Sequence, residues 1–65
     1  MPRNCLIQAR KEMGYTQKQL AERLSVSFQT VSKLETGTRD PSIRLADKYE
    51  DFFGISHREL FAEHE

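Results

Sequence analysis

Thr16-Gln17-Lys18-Gln19-Leu20-Ala21-Glu22-Arg23-Leu24-Ser25-Val26-Ser27-Phe28-Gln29-Thr30-Val31-Ser32-Lys33-Leu34-Glu35-Thr36-Gly37 carries the densest structural signal in the chain. It divides into two short helical patterns around Ser25-Val26-Ser27. Thr16 with Gln19 three residues later is a capping-box signature. The segment it opens carries Leu20, Ala21 and Leu24 on one face over about two turns. Ser27 suits the N-cap of the second pattern, in which Val31 and Leu34 share the inward face. Gly37 is a natural stop. A side chain as small as Ala21 on the inner face lets two helices cross closely and steeply.

The same punctuation continues on both sides of this pair. Leu6, Ala9, Arg10 and Met13 sit at helical spacing, and Gly14 is placed to end that helix in a left-handed conformation. Beyond Gly37, Thr38-Arg39-Asp40-Pro41 is a loop, because proline disfavours helix at the residue before it. Ser42 can cap a helix with apolar positions Leu45, Ala46, Tyr49, Phe52 and Phe53, ended by Gly54. Ser56 and Glu59 repeat the capping-box spacing and open a last short helix containing Leu60 and Phe61. No segment shows a convincing period-two pattern. The fold class predicted is all-α, a single domain of five helices over residues 1–65.

Sixty-five residues leave a thin core and no room for a sizeable enclosed cavity. A single cysteine, Cys5, excludes an internal disulfide framework and fits a reducing compartment. No apolar run approaches a membrane span and Met1-Pro2-Arg3-Asn4 leads into no signal-peptide apolar region, so a cytoplasmic protein without membrane contact is expected. Ten basic and ten acidic side chains give a formal charge of zero, which taken as an average argues against a nucleic-acid partner. The average conceals a division. Residues 1–39 hold seven cations against three anions, a net +4, and residues 40–65 hold three against seven, a net −4. Such asymmetry points to a polyanion partner for the basic half.

With Val31 and Leu34 inward, helical geometry turns Phe28, Gln29, Ser32 and Lys33 outward. Most of these are hydrogen-bonding side chains, as a helix entering a DNA major groove requires. The run Gln17 to Ser27, followed by Thr30-Val31-Ser32-Lys33-Leu34-Glu35-Thr36-Gly37, resembles the Cro/C1-type (Xre-like) helix-turn-helix regulators. The likeness continues through Pro41-Ser42-Ile43, Gly54-Ile55-Ser56 and Glu59-Leu60-Phe61, and so covers residues 4–61. It implies a lambda-repressor-like five-helix DNA-binding domain with the helix-turn-helix at helices 2 and 3, and no separate sensor or dimerisation domain.

Residue by residue, the resemblance implies that Gln29 and Lys33 read bases, with Phe28 and Ser32 beside them. Glutamine prefers the N6/N7 edge of adenine and lysine the O6/N7 edge of guanine. It likewise implies backbone contacts from Arg10, Gln17, Ser27, Thr30, Thr38 and Arg39, and a supporting salt bridge between Arg10 and Glu35. Three positions depart from the family pattern. Phe28 replaces a commonly polar residue, and both contact with a thymine methyl and folding back onto the domain are open. Thr36 replaces a frequent asparagine, and Glu50 a small apolar residue, which puts the packing of helix 4 in question.

The resemblance thus implies a sequence-specific regulator of bacterial or phage type, with repression as the expected role. Phe52 lies off the strict inner stripe of helix 4 and Phe61 near the last residues, and with Ile55 and Leu60 they offer a small apolar surface. Binding of a near-palindromic double-stranded operator as a homodimer through that surface is therefore expected. The competing reading is a protein-binding regulator on the same fold, an antitoxin covering a toxin or a partner of an antirepressor. No cofactor is expected. His57 and His64 lack zinc-ligand spacing and are read as exposed. No serine has a triad partner and there is no phosphate-cradling glycine loop, so an enzyme is not expected.

Overall fold

Four of the five helices start at a hydroxyl. In the computed structural model, which describes residues 2–62, the order is α1 (Asn4–Glu12), α2 (Gln17–Leu24), α3 (Phe28–Thr36), α4 (Ile43–Phe53) and α5 (His57–Leu60). Among the described residues there is no strand, in agreement with the all-α reading. His64 lies outside them.

The caps explain the boundaries. Thr16 accepts from the Gln19 backbone N–H at 3.1 Å while Gln19 Oε1 accepts from the Thr16 N–H at 2.9 Å, a complete capping box. Ser27 accepts from Thr30 N–H at 3.2 Å, and Ser42 from Leu45 N–H at 3.1 Å. The box expected at Ser56 and Glu59 does not form. Ser56 Oγ instead accepts from Arg58 N–H at 3.2 Å, and Glu50 reaches over from α4 to accept from His57 N–H at 2.7 Å. Glu50 Oε2 also lies 2.8 Å from His57 Nδ1. The departure at Glu50 therefore leaves α4 intact and caps the next helix.

The first three helices end in one geometry, with one exception in residue type. After α1 the Tyr15 N–H donates to the Arg10 carbonyl at 3.2 Å, and after α3 the Thr38 N–H donates to Lys33 at 3.1 Å. Each spans a glycine of positive φ, the Schellman ending. The turn after α2 makes the same bond, Val26 N–H to Ala21 carbonyl at 3.0 Å, through Ser25 at φ 58°. A non-glycine residue there costs about 1 kcal/mol. The turn is retained because Val26, next in sequence, packs against the core.

The core joins Leu6 and Ala9 of α1, Leu20, Ala21 and Leu24 of α2, Val31 and Leu34 of α3, and Leu45 and Tyr49 of α4. Leu60 of α5 completes it. α2 packs most extensively on α3, while α5 closes the opposite side against α1 and α4. Leu60 has no exposed surface, which corrects its placement on a dimer surface. A thin five-helix domain has few interior positions, and α5 spends its leucine on one of them. Phe52, Ile55 and Phe61 are half-buried against the same core. No described helix is long and apolar enough to cross a membrane.

Candidate nucleic-acid interface

The face presented by α3 follows from its buried stripe. Val31, Leu34 and Glu35 are buried, so Phe28, Gln29 and Lys33 emerge on the other side, with Ser32 half-buried beside them. Phe28 is 48% exposed and is not among the side chains packed on the core. The fold-back alternative for Phe28 is thereby removed. The side chains of Gln29 and Lys33 make no hydrogen bond or ion pair with the described residues, so their donors are available to an outside partner.

Beneath this face lies a buried polar junction between three helices. Arg10 of α1 donates through Nε to Glu35 Oε2 at 2.7 Å and through Nη2 to Glu35 Oε1 at 3.1 Å. Its remaining terminal nitrogen donates to the Tyr15 carbonyl at 2.8 Å. Gln17 Nε2, at the first turn of α2, donates to Glu35 Oε1 at 2.9 Å. The fork-on-carboxylate geometry suits arginine, and the burial demands that every partner be present. Arg10 and Glu35 are thus brought together, but Arg10 has only 11% of its side chain exposed. Its guanidinium donors are directed inward, to Glu35 and the Tyr15 carbonyl. Arg10 holds Glu35, and Glu35 orients Gln17.

The backbone-contact residues expected from the sequence divide in the same way. Ser27 and Thr30 are engaged with each other at the start of α3, their hydroxyl oxygens 2.8 Å apart. Thr38 and Thr36 share the Lys33 carbonyl at the end of α3, at 3.4 and 3.2 Å. Arg39 is exposed in the following loop, with Nη1 3.4 Å from Thr30 Oγ1. At the start of α2 the backbone N–H groups of Gln17 and Lys18 precede the one that Thr16 caps, which leaves them for an anion.

Tertiary structure adds two cations that the division into halves concealed. Arg44 and Lys48, four residues apart on α4, line a groove of about 310 Å³ with Arg39, Ser27 and Ser42. Lys48 also donates to the Leu24 carbonyl at 3.1 Å, at the C-terminus of α2 where a cation is favoured. Their i,i+4 spacing on the outer face of α4 was the available signal; counting charge by position along the chain masked it. In the other direction, Arg3 is buried and Arg10 is only partly exposed, so both contribute little to the outer surface.

The family model described as helix-turn-helix matches residues 6–60. The chain belongs to the Cro/C1-type helix-turn-helix family. Within that family it is 46% identical over 46 residues to an uncharacterized HTH-type transcriptional regulator of Methanocaldococcus jannaschii, covering 71% of this chain and 70% of that protein. A regulator of Methanothermobacter thermautotrophicus is 42% identical over 57 residues, 88% of this chain and 83% of its own. A third, from Archaeoglobus fulgidus, is 38% identical over 52 residues, with 80% and 74% covered. These relatives are archaeal, whereas the sequence pattern led to the expectation of a bacterial or phage regulator. No solved structure matches the chain. Membership in this helix-turn-helix family points to a DNA-binding transcriptional regulator, and the family is typically non-enzymatic.

Proposed function

We propose that this protein is a sequence-specific double-stranded DNA-binding repressor that inserts α3 into the major groove. The observation that carries the reading is the unspent outer face of α3, where Gln29 and Lys33 keep their donors beside the exposed ring of Phe28. Gln29 and Lys33 select bases, Phe28 meets a thymine methyl, and Ser32 lies at their edge. The start of α2, with Gln17 oriented by Glu35, takes one phosphate. Thr38, Arg39 and the groove cations Arg44 and Lys48 take phosphates on the other side of α3. Ser27 and Thr30 serve by capping α3 rather than by contacting the backbone themselves.

The operator on this reading is near-palindromic and is met by a homodimer whose recognition helices lie about 34 Å apart. The dimer surface is the exposed part of Phe52, Ile55 and Phe61, without Leu60. Selection of bound duplexes from a random pool tests the whole reading. A two-fold consensus with half-sites one helical turn apart is expected. On that consensus, Gln29→Ala and Lys33→Ala should each cost about 1–3 kcal/mol of binding and relax one position per half-site. If no consensus emerges, or if both variants bind it as tightly as the parent, the docking is wrong.

A further inference from the structure

Along the sequence Arg3 is one cation among seven in the basic half, yet only 2% of its side chain is exposed. Nη1 donates to the Leu34 carbonyl at 2.7 Å and to the Arg39 carbonyl at 2.8 Å. Nη2 donates to Asp40 Oδ1 at 2.6 Å, and the Arg3 backbone N–H donates to the Glu35 carbonyl at 2.7 Å. The guanidinium carbon lies 5.7 Å from the centroid of the Phe61 ring. Leu34 belongs to the last full turn of α3 and Arg39 to the loop beyond it. A single planar group therefore bridges the two ends of the segment that contains Thr38 and Arg39.

We propose that Arg3 is a positioning residue for DNA binding, setting the loop between α3 and α4 at the height where Thr38 and Arg39 meet phosphate. The inference rests on the proposed DNA-binding function. Two features support it. The guanidinium holds carbonyls on both sides of the loop, which restricts the backbone between them. It also pairs with Asp40, whose carboxylate is 85% exposed immediately after Arg39. Paired, that charge is offset; unpaired, it stands beside an incoming phosphate and repels it. A lysine at this position keeps the charge but, as a point donor on a flexible stem, cannot hold all three acceptors in one plane. Arg3 itself is too buried to touch DNA, so any effect on binding is exerted through the loop.

The test uses Arg3→Lys, Arg39→Ala and the double variant. Binding to a fluorescein-labelled mixed-sequence duplex of about 20 base pairs is read by anisotropy over a range of KCl concentrations. Circular dichroism keeps the measurement below the melting transition of each variant. Arg3→Lys is expected to weaken binding about fivefold and to flatten the salt dependence by roughly one phosphate contact, a slope change near 0.9. In the Arg39→Ala background the same substitution should cost clearly less than in the parent, because only the Thr38 contact and the Asp40 charge remain for it to affect. A folded Arg3→Lys protein with the parent's affinity and salt slope overturns the proposal, as does full additivity with Arg39→Ala. If Arg3→Lys does not fold, Arg3→Gln takes its place in the same cycle. Absence of binding by the parent chain overturns the DNA-binding function together with this proposal. That outcome differs from the failure of Arg3 alone, in which the parent binds and the variant binds equally.

Discussion

The α2–α3 pair and the α4–α5 pair are built by different means, and the difference separates recognition from support. α2 and α3 are fastened from below and at their ends: the Thr16 box, the Ser27 cap and the Arg10–Glu35–Gln17 junction satisfy the inner and terminal polar groups. Their outer donors are left unspent. α4 and α5 are capped as well, but their packing rests on rings rather than on a charged junction. Tyr49 meets Phe61 edge-on at 5.2 Å and Phe53 at 5.9 Å, and Phe52 meets Phe53 at 5.1 Å and Tyr15 at 5.8 Å. The aromatic side supplies area, which a small domain needs. The polar side supplies orientation, which a reading face needs. A junction of charges is a costly way to gain stability but an effective way to hold Gln17 and α3 at fixed angles.

The contrast is most exposed to failure at the polar junction. Arg10→Ala leaves the buried Glu35 carboxylate without its main partner, a loss of about 3–5 kcal/mol. A core this small supplies little more than that, so the variant is expected to be largely unfolded at 25 °C by circular dichroism. A cooperative melt within a few degrees of the parent would show that the junction is dispensable.

On the aromatic side the expected effect is smaller and of opposite sign. Tyr49 is fully buried, and its hydroxyl has no hydrogen-bond partner among the described residues. Burial is the main cause that pushes its pKa far up, with the Glu35 charge adding to it and Arg10 opposing. Tyr49→Phe removes the unsatisfied group and keeps the ring contacts, so denaturant unfolding should show a gain of up to about 1 kcal/mol. A clear loss of stability would mean that the hydroxyl makes a contact worth keeping and that this side, too, depends on polar wiring.

The smallest effect lies where the two means of fastening meet, at the cap of α5. The His57 backbone N–H and then its ring nitrogen hold the Glu50 carboxyl below its ordinary value of 4.5. A depressed carboxylate stabilises the fold above its unfolded pKa, and the contribution disappears as pH falls through the folded value. Melting temperatures of the parent and of Glu50→Gln should therefore differ modestly at neutral pH and converge as the pH is lowered below 4.5. A difference that persists unchanged into acid would assign the effect to something other than ionisation.

Much of the architecture was legible because it is written in local chemistry. Thr16, Ser27 and Ser42 cap by reaching three residues ahead, and Gly14, Gly37 and Gly54 take the left-handed conformation at helix ends. Such signals need no knowledge of the rest of the chain. The outward placement of Gln29 and Lys33 was legible for the same reason, since helical periodicity ties it to the inward Val31 and Leu34. The cap of α5 was not, because a residue outside the local pattern takes part in it. Ser56 and Glu59 have the right spacing, but Ser56 accepts from the Arg58 N–H and Glu50 arrives from α4 to accept from the His57 N–H. The burial of Leu60 was hidden because period alone does not distinguish a last apolar residue facing inward from one facing a partner.

The five helices, their ends apart from the start of α5, and the face of α3 left to solvent are written in the sequence, because each depends on interactions spanning no more than a few residues. Which charges remain available is a matter of tertiary structure alone. Packing buries Arg3 and turns most of Arg10 inward from the basic half, and it brings Arg44 and Lys48 from the acidic half beside Arg39. The net charges of +4 and −4 are sums along the chain, whereas an electrostatic field depends on distance in space and on exposure to water. Only the packing of α1, α3 and α4 supplies those.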